Sequence, residues 1–244
     1  MYLVLDFGNT QKKLALFDSG VLKLIEYYPE ITRSDIERFI DLHPGISSCI
    51  LSSVVRHADD ITDFLFQKLK CISLDEHTPV PLVNLYQTGH SLGKDRLAAA
   101  VAGAQMFPGE NVLIICAGTA LTFDFVNVQG AYLGGAISPG MQMRFSALHT
   151  FTHMLPLLTY REQIQLVGSD TESSILSGVI NGITAEIEGV SEAYRKQFPE
   201  LKIILSGGDL NYFVKRLKIS IFAVPNIVVH GLQQILAFNV NKTQ

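Results

Sequence analysis

One pattern constrains this chain more than any other, and it occurs twice. Near the start, the apolar run Tyr2–Leu5 ends in Asp6-Phe7-Gly8-Asn9-Thr10, and Lys13–Phe17 then resumes an apolar pattern before a turn at Asp18-Ser19-Gly20. A strand-sized apolar run, a short polar segment with glycine and a second such run predict a β-hairpin. The pattern returns at apolar Val112–Ile115, small residues Cys116-Ala117-Gly118-Thr119-Ala120, apolar Leu121–Val126 and a turn at Gln129-Gly130. Repetition of one supersecondary unit predicts a duplicated architecture.

The segments around the two hairpins fit an α/β class. Ser47–Ser53 and Cys71–Leu74 read as strands, and Asp59–Leu69 as a helix between them. An alanine-rich helix is expected over Lys94–Met106, broken by Pro108-Gly109, where we place the boundary between lobes 1–108 and 109–244. The second lobe continues with a Gly-rich turn at Gly134–Gly140 and helical patterns over Met141–Met154 and Thr171–Phe198. A strand at Lys202–Leu205 then runs into Ser206-Gly207-Gly208-Asp209, and a last helix is expected near Gly231–Asn239.

Composition narrows the possible functions. The 244 residues carry a net charge of −4 with no basic run, which argues against nucleic acid as the main partner. The three cysteines, Cys49, Cys71 and Cys116, form no CxxC pair, so we expect neither a disulfide framework nor a zinc site, and a reducing cytoplasm fits best. The opening MYLVLDFGNT reads as a strand rather than a signal segment, and no apolar run approaches the roughly 18 residues of a membrane span. The seven histidines, His57, His149 and His153 among them, match no metal-binding spacing and read as surface or packing residues.

The candidate chemistry lies at the turns. Asp6-Phe7-Gly8-Asn9-Thr10 places a carboxylate at a strand end and backbone amides in a tight turn, a combination suited to hydrated Mg²⁺ and phosphate oxygens; an ordinary hairpin is the bland alternative. Gly118 with the hydroxyls of Thr119 and Thr122 suits a second phosphate cradle; another core hairpin is the alternative. Gly93-Lys94-Asp95-Arg96 sets a carboxylate beside a guanidinium at the start of the alanine-rich helix. That suits a proton acceptor next to an anion clamp, or simply a favourable charge at a helix N-terminus. No Gly-x-x-x-x-Gly-Lys-Ser/Thr segment is present, which removes the P-loop reading.

Two phosphate-type hairpins with a late Gly-Gly turn resemble the actin, sugar-kinase and heat-shock ATPase superfamily, and within it the chain is most similar to the type III pantothenate kinase family. The likeness rests on blocks in family order: Asp6-x-Gly8-Asn9-Thr10, Gly93-Lys94-Asp95-Arg96, Gly118-Thr119-Ala120-x-Thr122-x-Asp124, Gly134-Gly135-x-Ile137-x-Pro139-Gly140, Leu148 through Leu155-Pro156, and Thr171-x-x-Ser174-Ile175-x-x-Gly178. It implies two related ribonuclease H-like lobes with an ATP cleft between them, and transfer of phosphate from Mg·ATP to pantothenate, the first step of coenzyme A synthesis. It also implies a cytoplasmic homodimer.

Residue by residue, the resemblance assigns Asp95 as the proton acceptor, and Gly93, Lys94, Asp95 and Arg96 as contacts to pantothenate. Tyr86 and Thr171 join them by the same likeness, although Tyr86 reads equally as a packing aromatic and Thr171 as a helix cap. Asp6, Phe7, Gly8, Asn9, Thr10, Gln11, Lys12 and Lys13 are assigned to ATP, Asp6 holding Mg²⁺ through water, and Gly118 and Thr119 also touch ATP. One departure stands out. The family usually carries Asp-x-Gly-Thr in the second hairpin, its aspartate binding potassium or ammonium, whereas this chain has Cys116 there. A neutral thiol is a poor ligand for a hard cation, so weak or absent potassium dependence is expected. Related sequences labelled as Bvg accessory factors supply an alternative, a regulatory protein on the same fold; a sugar or acetate kinase is a further one.

Overall fold

The computed structural model describes residues 1–55 and 58–242; His57 lies outside them. The chain divides into two compact units, one made of Met1–Met106 with the segment from Asn226 onward, the other of Phe107–Pro225.

In the first unit, β1 (Tyr2–Phe7), β2 (Lys12–Asp18) and β3 (Val21–Tyr28) form an antiparallel meander, after which α1 (Arg33–Leu42) leads to β4 (Ser48–Ser53). α2 (Asp59–Lys68) then leads to β5 (Lys70–Ser73), and the sheet order is β3-β2-β1-β4-β5. β4 lies parallel to both β1 and β5. A short strand β6 (Val83–Asn84) and a 3₁₀ turn at Gly89–Ser91 precede α3 (Lys94–Met106). Side chains alternate across the sheet. Leu3, Leu5 and Phe7 face a core shared with Ile36 and Phe39 of α1 and Phe64 and Leu65 of α2. Val4, Ala15 and Ile50 face the opposite core, built with Ala98 and Val101 of α3 and Val229, Leu232, Ile235 and Leu236 of α7 (Ile227–Lys242).

The second unit repeats the plan. β7 (Val112–Ala117), β8 (Ala120–Val126) and β9 (Ala131–Pro139) make a second antiparallel meander, and α4 (Met141–Thr150) and α5 (Thr171–Gln197) precede β10 (Lys202–Ser206). α6 (Leu210–Val214) and β11 (Phe222–Ala223) follow. The order β9-β8-β7-β10-β11, with β10 parallel to both β7 and β11, reproduces β3-β2-β1-β4-β5 strand for strand. Its core joins Leu113, Ile115, Phe123 and Phe125 to Phe145, Ile180, Ile183 and Ile187 of the helices and to Ile203 and Leu205 of β10.

Three expectations change. Gly134–Gly140 is not a turn: most of it lies within β9. Gly134 takes φ +99°, and a Cβ at Gly135 would lie 1.8 Å from the Phe123 carbonyl, so the glycines serve a bulge and a close strand approach. The register shift at Phe125/Val126 marks that bulge. The helix expected over Met141–Met154 stops at Thr150. The last helix begins at Ile227 and belongs to the first unit, where the sequence division had placed it in 109–244. The physical reason lies in α3: its alanines are small enough that a Cβ on Gly231 of α7 would lie 1.8 Å from the Ala98 carbonyl.

Candidate active site

Strand alternation decides which side chains meet in the first unit. Asp6 shares a face with Val4, the α3 side, and its register partner on β2 is Lys13. Asp6 Oδ2 and Lys13 Nζ are 3.5 Å apart. Lys12, one residue earlier, projects from the other face, where Nζ donates to the Pro29 carbonyl at 3.0 Å and pairs with Glu30 at 3.2 Å. Of the two lysines assigned to ATP, therefore, only Lys13 stands beside Asp6. Phe7 is buried in the α1/α2 core. Beyond it Gly8 is half-buried and donates its N–H to the Gln11 carbonyl at 3.1 Å, and Asn9, Thr10 and Gln11 are exposed around that turn.

Asp6 is a buried carboxyl, and burial raises its pKa. Lys13 pulls it down again, and the charge of Asp95 pushes it up. That last influence ties the tip of β1 electrostatically to the start of α3. Asp95 is exposed in the first turn of α3, where its Oδ1 accepts from the Arg96 N–H at 2.9 Å. A Cβ on Gly93 would lie 2.6 Å from that same Oδ1, so glycine leaves room for the carboxyl. Arg96 is buried, with its guanidinium carbon 5.7 Å from the centre of the Tyr86 ring. Lys94 lines a small cavity of about 120 Å³ with Asp75, Glu76 and His90.

In the second unit three small-residue segments converge. Gly140 donates its N–H to the Thr119 carbonyl at 3.1 Å, and Asp209 donates to the Ala117 carbonyl at 3.0 Å. A Cβ on Gly140 would lie 2.0 Å from the Gly118 carbonyl oxygen, and one on Gly207 (φ +101°) 2.1 Å from that of Ala117. The hairpin tip is thus framed by backbone on both sides, and Thr119 is left exposed. Burial raises the pKa of Asp209 beside it. Cys116 is half-buried, with Thr122 and Ser206 as its register partners. Thr171 is exposed at the first position of α5; the cap is Asp170, whose side chain accepts from the Ser173 N–H at 2.8 Å. Thr171 lines a cavity of about 900 Å³ with Arg144, Leu148, Leu155 and Ile175. No sequence motif points to Arg144, and Asp209 stands in a small-residue turn, Ser206-Gly207-Gly208-Asp209, whose sequence suits an adenine or ribose against its backbone or equally a plain strand-to-helix turn.

The family model described as type III pantothenate kinase matches residues 2–193. The chain belongs to this family. It is 44% identical to the type III pantothenate kinase of Christiangramia forsetii over 100% of both chains. Its fold resembles a Baf family transcriptional activator from Campylobacter jejuni, with TM-score 0.60, 20% identity and 98% and 99% of the two chains covered. It also resembles an inorganic polyphosphate/ATP-glucomannokinase from Arthrobacter, with TM-score 0.50, 15% identity and 98% of each chain covered. As a member of the type III pantothenate kinase family the protein is a phosphotransferase, and each of its units has the mixed α/β fold that such kinases share.

Proposed function

We propose that this enzyme phosphorylates the primary hydroxyl of pantothenate with ATP, giving 4′-phosphopantothenate for coenzyme A synthesis. The observation that carries the residue assignment is the grouping, within one unit, of Asp6, Lys13, Asp95, Arg96 and Tyr86. In this reading Asp95 accepts the hydroxyl proton as the oxygen attacks the γ-phosphorus in line. Arg96, its guanidinium carbon 5.7 Å from the centre of the Tyr86 ring, binds the pantothenate carboxylate as a two-pronged donor. The Gly8–Gln11 turn and Lys13 receive phosphate oxygens, and Gly118 and Thr119 contribute further ATP contacts. Most of the acceleration comes from positioning and charge neutralisation.

Mg²⁺ fits this site. Asp6 is a buried carboxyl whose pKa is raised by desolvation, and a hydrated cation beside it would offset that cost of ionisation. Asp6 would hold the ion through water, and the chemistry a bound ion would supply there is neutralisation of phosphate charge. A potassium or ammonium ion does not fit Cys116, and no step is assigned to one.

The regulatory alternative of the Bvg accessory type is not favoured, because a non-catalytic protein has no need of paired Asp6 and Asp95 beside Arg96. A homodimer belongs to this reading. The isoleucines of α5 between Ile175 and Ile187 are taken up by the core. Support comes instead from exposed Phe151, Met154, Leu166 and Val167 of the second unit. Light scattering should give about twice the 26.9 kDa chain mass, and a monomer at micromolar concentration would count against it. No described helix is long and apolar enough to cross a membrane.

The deciding experiment combines purified protein, Mg·ATP and pantothenate, with mass detection of 4′-phosphopantothenate in potassium and in sodium salts. Product is expected at rates that differ less than about twofold between the two cations, given the thiol at Cys116. No product in either salt would remove the pantothenate assignment, and strong activation by potassium would remove the reading of Cys116.

A further inference from the structure

Arg144 lies in the first turn of α4, and its guanidinium serves three acceptors. Nε donates to the Pro139 carbonyl at 2.9 Å, and Nη2 to Ser138 Oγ at 3.0 Å and to the carboxylate of Glu186 on α5. Ser138 and Pro139 end β9, and the next residue, Gly140, is the one that donates to the Thr119 carbonyl. A continuous set of directed contacts therefore runs from Glu186 through Arg144 and the end of β9 to the tip of the β7–β8 hairpin. The tip has little packing of its own: Gly118 lacks a side chain, Ala117 and Ala120 carry methyl groups, and Thr119 is exposed. Its position is set by what grips its carbonyls.

We propose that Arg144 and Glu186 are positioning residues for this turn, an ion pair that fixes the end of β9 and thereby the Gly118–Thr119 backbone offered to ATP. The inference rests on the assignment of Gly118 and Thr119 to ATP made above. A guanidinium suits the task because its planar fork holds several acceptors in fixed directions, which a lysine ammonium cannot do. Both side chains are partly solvated, 22% and 27% exposed, so loss of the pair empties no core volume. Its effect should appear in the turn rather than in global stability. Nothing in the sequence motifs points to Arg144, and its partner lies 42 positions away.

The test uses full-length Glu186→Gln, Glu186→Asp and Arg144→Lys. Titration with Mg·ATP should show affinity reduced on the order of tenfold in Glu186→Gln and Arg144→Lys, with part of it recovered in Glu186→Asp. Amide hydrogen exchange over residues 117–121 and 138–141 should quicken in the same two variants. KM for pantothenate in Glu186→Gln, and the melting temperature of all three variants, should stay near wild type. Wild-type ATP affinity and exchange in Glu186→Gln would overturn the proposal, as would a loss of affinity that tracks a fall in melting temperature. Wild-type protein that binds ATP without phosphorylating pantothenate would refute the substrate assignment while the titration still decides this inference. Wild-type protein that binds no ATP would refute both.

Discussion

Two aspartates of the first unit invite opposite experiments. Asp95 is exposed and free of core packing, so Asp95→Asn should fold as well as wild type and bind ATP, while kcat falls by roughly 10²–10⁴. Turnover within a few-fold of wild type would end the proton-acceptor assignment. Asp6 is the reverse. Its folded-state pKa is raised by burial, so the folded protein resists the charge that the unfolded chain accepts freely. That penalty is absent below the ordinary carboxylate range, where both states are protonated, and it grows as pH rises through the raised value. Asp6→Asn should therefore melt a few degrees higher than wild type at neutral pH, lose the advantage near pH 3, and fail to bind Mg·ATP productively. A variant less stable than wild type at pH 7 would contradict this. Both carboxylates were legible as chemistry because each sits at an element boundary beside glycine. Lys12 and Lys13 were not separable by motif, since only the strand's two-residue period sends one to Glu30 and the other to Asp6.

Strands and helices were legible where apolar runs were bounded by breakers, as for β1, β7, α2 and α3. Where glycine played two roles, they were not. Gly134 and Gly135 look like turn residues in sequence, yet they mark a bulged strand pressed against β8, a distinction that depends on a neighbour the sequence does not place alongside. α1 escaped notice although its start is well signalled: Thr32 and Asp35 form a reciprocal capping box, with Thr32 N donating to Asp35 at 2.9 Å. α3 and α7 depend on small residues at their crossing. Gly231→Ala forces a methyl group into the Ala98 carbonyl and should destabilise the fold by about 1–3 kcal/mol through overpacking. Denaturant unfolding measures this, and a change below about 0.5 kcal/mol would mean that the helices separate readily.

Across the whole molecule, the duplication was visible in two short hairpins and proved to extend through five strands of each unit. The ownership of α7 was hidden, because an apolar helix face reveals that it is buried but not in which core. Val229, Leu232, Ile235 and Leu236 fill the α3 side of the first unit, which is therefore built from two stretches of chain, whereas the second unit is continuous. A fragment spanning 107–225 should show a cooperative thermal transition by circular dichroism, and a fragment of residues 1–106 should not; two comparable transitions would show that α7 is dispensable. During synthesis at roughly 5–20 residues per second, the ribosome spends on the order of ten seconds making the second unit after the first has emerged. Throughout that interval the α3 side of the first sheet lacks Val229, Leu232, Ile235 and Leu236, and the apolar side chains they cover stay open to solvent and to chaperones. The unit whose translation begins first is thus the one whose folding finishes last.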